Sequence, residues 1–290
     1  MERIDIVVEG WDKYKLLDSG NNRKLELFED LIIDRPEIQA LWKKTNNIDL
    51  WAQSDAQFLW VEKGERWKKS QKTKDSWNIS FEDIKMKLSF KGFKHVGIFP
   101  EHKDQWIEII KIGKNNKNIK MLNLFGYTGA ASIAGAIAGI SVTHVDASKQ
   151  TINSLKENIE LSGLSKDSIR IICEDALRYT KRLIERGEKF EIIIMDPPAF
   201  GRGPKGEIWK VEDSLAELVE LIPKILSEKA QMFILNGYAS GYSARTFGEL
   251  TKRFFNEKEG TISYGDIGIK QNNSDKILTT GIYTKWKKKK

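Results

Sequence analysis

Four short segments between Asn123 and Phe200 carry residue types that suit a nucleoside-bearing ligand and chemistry beside it. The first is Asn123-Leu-Phe125-Gly126-Tyr127-Thr128-Gly129-Ala-Ala-Ser132. Its two glycines permit a tight turn and close approach of a ligand to the backbone. It is not the G-x-G-x-x-G fingerprint of dinucleotide sites, because the third glycine is absent. The second segment is Asp146-Ala147-Ser148, whose acid lies 20 residues beyond Gly126. A carboxylate at that spacing can accept hydrogen bonds from both hydroxyls of a ribose, in nicotinamide sites as in others, so it denotes a nucleoside without saying which. The third is Glu174-Asp175-Ala176. A side-chain acceptor beside a free backbone N–H can read the amino edge of adenine, and Asp175 can equally cap a helix. The fourth is Asp196-Pro197-Pro198-Ala199-Phe200. Two prolines stiffen the backbone and remove two donors, leaving neighbouring carbonyls and the Asp196 carboxylate as a rigid set of acceptors. An aromatic follows that can stack on a planar group.

The elements that must position these residues are legible from about residue 105 onward. Strands are expected at Lys120–Leu124, Ser141–Val145, Ile169–Ile172, Phe190–Met195, Gln231–Leu235 and Ile277–Tyr283. Helices are expected at Ala130–Ala138, Ser148–Leu161, Asp175–Arg186, Val211–Leu226 and Ala244–Phe255. Strands alternating with helices mean an α/β fold with a doubly wound sheet, in which ligands bind outside the carboxyl ends of the strands. Asp146, Asp175 and Asp196 each follow one of those strands.

Residues before about 90 read differently. Seven of nine tryptophans precede residue 110, and short β-branched or apolar runs appear at Ile4–Val8, Tyr14–Asp18, Leu25–Phe28, Asp30–Ile33, Phe58–Glu62 and Lys85–Phe90. Ser19–Arg23 suits a hairpin loop. The expected organisation is a small antiparallel β-rich domain over 1–90, the doubly wound domain over 91–285, and a disordered basic tail over 286–290.

The four segments, in this order and spacing, resemble class I S-adenosylmethionine-dependent methyltransferases. The first turn is similar to the Asp-Leu-Phe-x-Tyr-Thr-Gly-Gly-Phe-Ser turn of bacterial large-subunit ribosomal RNA methyltransferases, with Asn123 in place of the usual acid. Gly97-Ile-Phe99-Pro-Glu-His102 stands where that family has a Gly-Phe/Leu-Phe segment packing over the cofactor. The resemblance covers roughly 85–285 and implies a Rossmann-like sheet that binds S-adenosyl-L-methionine. It implies that Phe99 packs over the cofactor, and that Asn123 and the backbone of Phe125, Gly126, Tyr127, Thr128 and Gly129 meet the methionine moiety. Asp146, Ala147 and Ser148 would hold the ribose, Asp175 and Ala176 the adenine, and Asp196 would line the methyl-transfer mouth with Pro197, Pro198 and Phe200. Those last four residues are the expected catalytic set.

Methylation of cytosine C5 needs a cysteine nucleophile. Relatives with that chemistry carry it after the fifth strand, where this chain reads Phe233-Ile-Leu-Asn236-Gly-Tyr238-Ala-Ser240. The only thiol, Cys173, is expected to be a small buried packing residue. Asp-Pro-Pro-x-Phe resembles the Asp/Asn-Pro-Pro-Tyr/Phe of amino methyltransferases, which implies a base nitrogen as acceptor with Phe200 stacked on a flipped base. In the following Gly201–Gly206, Arg202 and Lys205 are candidates to clamp a substrate phosphate, against the alternative of a mobile surface loop. Trp209 either stacks or packs.

The net charge of +7 and pI of about 9.1 suit a polyanionic partner as well as they suit simple solubility. A single cysteine excludes an internal disulfide and fits a reducing cytoplasm. No apolar run is long enough to span a membrane, and Met1–Asp5 lacks the apolar core of a signal peptide. His95, His102 and His144 show no metal-ligand spacing, so no metal is expected; His144 reads as structural and His102 as a contact candidate. The function expected is methylation of an RNA base in ribosomal RNA processing. The alternatives are a protein or small-molecule methyltransferase, or a non-catalytic RNA-binding relative. A nicotinamide dehydrogenase would leave Asp196–Phe200 unexplained.

Overall fold

The computed structural model describes residues 1–45, 48–61, 66–91, 93–238 and 241–289. The chain divides into two compact units. The larger comprises Met1–Ile6, Lys103–Ile267 and Gly281–Lys290, and the smaller Val7–His102 with Gly268–Thr280.

The larger unit is built on five parallel strands, β1 (Lys120–Leu124), β2 (Ser141–Asp146), β3 (Ile169–Cys173), β4 (Ile192–Met195) and β5 (Met232–Gly237). Two long strands follow, β6 (Gly260–Lys270) and β7 (Ile277–Lys288), with β7 antiparallel to β5. Their order is β3-β2-β1-β4-β5-β7-β6, and Glu2–Arg3 adds a parallel edge beyond β6. Helices α1 (Lys103–Asn115), α2 (Ala130–Ile137), α3 (Lys149–Leu161), α4 (Ala176–Glu185), α5 (Val211–Leu221) and α6 (Ala244–Phe254) separate the strands. This is the doubly wound Rossmann-like architecture. Every residue of β4 is buried, as is every residue of β5, so both faces of the central sheet are covered and apolar side chains can point either way.

Strand order reverses beside β1, with β2 and β3 on one side and β4 and β5 on the other. The register aligns the strand ends. Leu124 pairs with Val145 and with Met195, and Met195 pairs with Leu235. Phe125, Asp146, Asp196 and Asn236 therefore leave the sheet at a common carboxyl end, beside the reversal where open α/β sheets bind ligands.

The expected basic tail is a correction. Lys285–Lys288 continues β7: Trp286 is buried beside Phe255 at 5.9 Å, while Lys285 and Lys287 pair with Glu108 at 2.8 and 2.5 Å. Lys285 and Lys287 flank Trp286, so the two lysines share one face of the strand and the indole lies on the other. Lys290 lies outside the described residues. Helix α1 and strand β6 are additions to the sequence reading. Helix α5 stops at Leu221 and passes into a 3₁₀ turn over Ile222–Ile225, where Pro223 offers no backbone donor.

In the smaller unit, Tyr14–Gly20 and Arg23–Phe28 form a hairpin turned by Asn21 and Asn22. Both asparagines have positive φ, 53° and 58°, as a two-residue turn between twisted strands requires, so the expected five-residue loop shrinks to two. The sheet continues through Leu31–Pro36, Ala56–Phe58 and Trp67–Lys69, and Ser76–Phe81 with Ile84–Ser89 makes a separate hairpin. The unit is not antiparallel throughout: Ile33 pairs with Ala56 in a parallel ladder, because the intervening chain, with its short helix Ile48–Ala52, is long enough for a crossover. The strand expected over Phe58–Glu62 ends at Phe58, and Glu62 lies outside the described residues. Buried Glu26 accepts from Tyr14 Oη at 2.8 Å and from Arg35 at 2.7 and 2.8 Å. Burial pushes the Glu26 carboxyl up, but Arg35 and Lys24 together bring it down to about 2. Among the described residues no helix is long and apolar enough to cross a membrane.

Trp286→Ala removes a buried indole from β7 and is expected to cost about 3–5 kcal/mol in denaturant unfolding, the range for emptying a large aromatic site. An unstructured tail would show no change.

Candidate active site

The turn after β1 is a run of unusual backbone. Phe125, Tyr127 and Gly129 have φ of 57°, 53° and 96°, so two non-glycine residues occupy the left-handed region at a cost of about 1–3 kcal/mol each. Hydrogen bonds hold them there. Gly126 N–H donates to the Val145 carbonyl at 3.0 Å, Gly129 N–H to Gly126 at 3.1 Å, and buried Asn158 donates its side-chain amide to the Thr128 carbonyl at 3.0 Å.

Asp146 is the centre of this arrangement. Its Oδ2 accepts from Tyr127 N–H at 2.9 Å, and its Oδ1 accepts from Ser148 N–H at 2.8 Å and from Thr151 Oγ1 at 2.7 Å. One carboxylate thus ties the β1 turn to the first turn of α3. Burial raises the Asp146 pKa, and the bonds from Ser148, Thr151 and Tyr127 work against that rise. An ionised carboxylate has about four acceptor positions. Three are used internally. Ser148 also caps α3, accepting from Thr151 N–H at 3.3 Å, and Ala147 accepts the Cys173 thiol at 3.8 Å. Cys173 is exposed, not buried as expected, because it ends the edge strand β3.

Beneath the turn lies a buried polar row. Asn123 Nδ2 donates to Ser132 Oγ at 2.9 Å, and Ser132 Oγ lies 2.9 Å from His144 Nδ1. The Ser132 hydroxyl, which can both accept and donate, thus links the Asn123 amide to the imidazole. Burial lowers the His144 pKa to about 3, so the ring is neutral, and Nε2 has no hydrogen-bond partner among the described residues. The ring packs directly under Gly126: a Cβ there would lie 2.3 Å from Cε1 and 2.4 Å from Nδ1. Gly129 faces a similar limit, with a Cβ position 2.1 Å from Leu155 Cδ1. Gly129 caps α2 without a side chain, so the first-turn N–H groups of that helix can receive an anionic group.

Asp175 caps α4, accepting from Arg178 N–H at 2.9 Å, and Ala176 begins that helix in a buried position. The cap therefore does not exclude the nucleoside role, since a carboxylate can accept more than one bond. At the end of β4, Asp196 and Pro197 lead into Pro198 and Ala199, whose carbonyls accept from Trp209 Nε1 at 2.7 Å and Val211 N–H at 3.0 Å. Gln105 and Asn236, which the sequence reading passed over, exchange two buried amide hydrogen bonds of 2.7 and 3.0 Å at the end of β5.

Residues 200–210 carry two short paired strands. Phe200–Arg202 and Ile208–Lys210 form a hairpin, closed by Gly203 N–H to Glu207 at 2.8 Å. Trp209 is buried with its ring 4.7 Å from Phe125, so it packs. Arg202 stands on a strand, while Lys205 sits at the tip and gives its N–H to Glu207 Oε2 at 2.9 Å. Glu207 also meets Arg178 at 3.1 Å. Its own N–H and that of Lys205, then Arg178, hold its pKa below the usual carboxylate range. Phe99 lies in the smaller unit, where its ring packs between His95 at 5.1 Å and His102 at 5.9 Å.

The family model described as Conserved hypothetical protein 95 matches residues 106–249. A crystal structure described as the SAM-dependent methyltransferase from Agrobacterium tumefaciens is 36% identical, covers 99% of this chain and 94% of its own, and superposes with a TM-score of 0.94. The chain belongs to the S-adenosylmethionine-dependent methyltransferases. S-adenosylmethionine is the cofactor of that family, and the glycine-floored turn, the uncapped α2 and Asp146 fit a zwitterionic nucleoside ligand. Two curated relatives are named for ribosomal RNA. The large subunit methyltransferase K/L of Shewanella frigidimarina is 36% identical over 52% of this chain and 21% of its own length. A putative large-subunit methyltransferase of Methanocaldococcus jannaschii is 36% identical over 42% of this chain and 31% of its own. The chain thus spans less than a third of either curated relative.

Gly126→Ala is expected to cost about 1–3 kcal/mol, as overpacking does, and to weaken S-adenosylmethionine binding in calorimetry. The penalty shrinks in a His144→Ala background, where the methyl group has room. Because the His144 pKa is lowered on folding, its stabilising effect is complete above its unfolded value of about 6.5 and is lost as pH falls toward 3. Unfolding free energy measured across that window is expected to decline in the native chain and less steeply in His144→Phe.

Proposed function

We propose that the chain methylates a nitrogen of an RNA base, with ribosomal RNA as the substrate class. The observation that carries the reading is the position of Asp196. It leaves β4 at the strand-order reversal, in register with the cofactor turn, and is followed by two prolines and the Trp209-pinned hairpin. The names of the curated relatives support the RNA class.

When bound, S-adenosylmethionine supplies an activated methyl group on a sulfonium. The residues of the chain do the rest. The first-turn N–H groups of α2 receive the carboxylate of the methionine moiety, and Asp146 uses its remaining acceptor position for a ribose hydroxyl. Asp175 and the N–H of Ala176 meet the adenine edge. Asn123, through Ser132 and His144, holds the floor under Gly126 instead of touching the ligand. Asp196 and the Pro197 carbonyl accept the N–H groups of the target amine, which raises electron density on its nitrogen and orients its lone pair. This is catalysis by positioning more than by acid–base groups, and the amine gives up one proton as its nitrogen gains the methyl group. A nitrogen acceptor fits the end of β5 as well, where Asn236, not a thiol, follows Leu235, and Cys173 belongs to β3 on the far side of β1. Ala239 and Ser240 lie outside the described residues.

Asp196→Ala is expected to bind S-adenosylmethionine as the native chain does and to lose turnover on unmodified ribosomal RNA by at least about a hundredfold, the scale for one preorganised polar group. Transfer of labelled methyl groups, followed by mass spectrometry of digested nucleosides, checks both points. Full turnover in the variant, or a product methylated on carbon, rejects the assignment.

A further inference from the structure

The hairpin after β4 has more on it than the reaction uses. With three residues to a strand it would not persist alone. Trp209 pins it from within, through the Pro198 carbonyl and the Phe125 ring. The register sets Phe200 opposite Lys210, Gly201 opposite Trp209 and Arg202 opposite Ile208. Side chains alternate along a strand, so Gly201 and Trp209 share the inner face while Phe200, Arg202, Ile208 and Lys210 share the outer one.

That outer face is unlike the rest of the larger unit. Phe200 is 54% exposed and Ile208 58%, the two most exposed large apolar side chains among that unit's described residues. Folding gains nothing from holding them in water, and both are flanked by cations. The hairpin's one acid, Glu207, is occupied by Arg178 and the Lys205 N–H. Lys210 lies 3.8 Å from Asp213, but both groups are about half exposed or more, so that pair leaves the positive charge of the face largely available. Apolar surface interleaved with cations suits a strand of nucleotides whose bases are unstacked: the apolar groups cover base faces, and the cations meet phosphates. A duplex hides its base faces and offers phosphates alone.

We infer that the outer face of this hairpin is the docking platform for a single-stranded RNA segment flanking the target nucleotide. The inference rests on the RNA reading above. It adds Ile208 and Lys210 to the substrate surface and ties that surface, through Trp209 and Phe125, to the cofactor turn. Arg202 joins them, while Lys205, at the tip, is not part of the face.

The test is fluorescence anisotropy with a labelled mixed-sequence single-stranded RNA of about 15 nucleotides, near the upper site size of single-strand binders, and with the same RNA made duplex. Ile208→Ser is expected to weaken single-strand binding by at least about tenfold, within the range of one base contact. Arg202→Ala/Lys210→Ala is expected to weaken it too and to flatten the salt dependence by about 0.7 per cation removed. The positions are exposed, so the variants fold, and S-adenosylmethionine affinity by calorimetry reports on the intact cofactor turn. If the native chain binds neither RNA, the RNA reading itself fails. If it binds RNA and the variants bind equally well, or if it prefers the duplex, the platform alone is rejected.

Discussion

Asp146 is the constraint on which the candidate site depends. Its carboxylate accepts from Tyr127, Ser148 and Thr151, and so joins the turn after β1 to the start of α3 across the sheet's carboxyl edge. Without that brace, Phe125 and Tyr127 would have little reason to remain in left-handed backbone. The three donors work against the rise in its pKa that burial causes. Two elements that are 20 residues apart are made rigid before any ligand arrives, which is how a site lowers the ordering cost of binding.

The buried row of Asn123, Ser132 and His144 gives the same turn its floor. Its chemistry is neutral: the imidazole carries no charge near pH 7, and the hydroxyl mediates between amide and ring. A ring, unlike an aliphatic side chain, presents a flat surface against which Gly126 can lie without a Cβ. The Nε2 without a partner among the described residues is the cost of that shape, since an unsatisfied buried polar atom loses about 1–3 kcal/mol of solvation.

How much of this was legible in the sequence depended on whether a signal was local. The central strands could be read because strands buried on both faces become plain apolar runs. The acids at their ends could be read because strand ends are where such sheets place ligands. Helix α1 was missed although Trp106, Ile109 and Ile110 carry helical spacing, since the lysines around them diluted the pattern. Strand β6 was missed because glycines interrupt it. Gly265 is needed there, as its Cβ position lies 2.1 Å from the Ile4 carbonyl, but that neighbour is some 260 residues away in the chain. The donors to Asp146 and the neighbours of Trp209 were invisible for the same reason. Glycine and proline in 201–206 suggested a loop, and only the buried indole explains why it is a hairpin.

The sheet order also bears on how the chain is made. Strand β7 lies between β5 and β6, yet it follows both in the sequence. As the polypeptide emerges, β5 must wait with one edge bare while some forty residues pass, and β6 cannot serve as its neighbour in the meantime. An apolar strand with an open ladder is a surface on which nascent chains pair wrongly. Once β7 arrives, the pairs from Lys285 and Lys287 to Glu108 join it to α1.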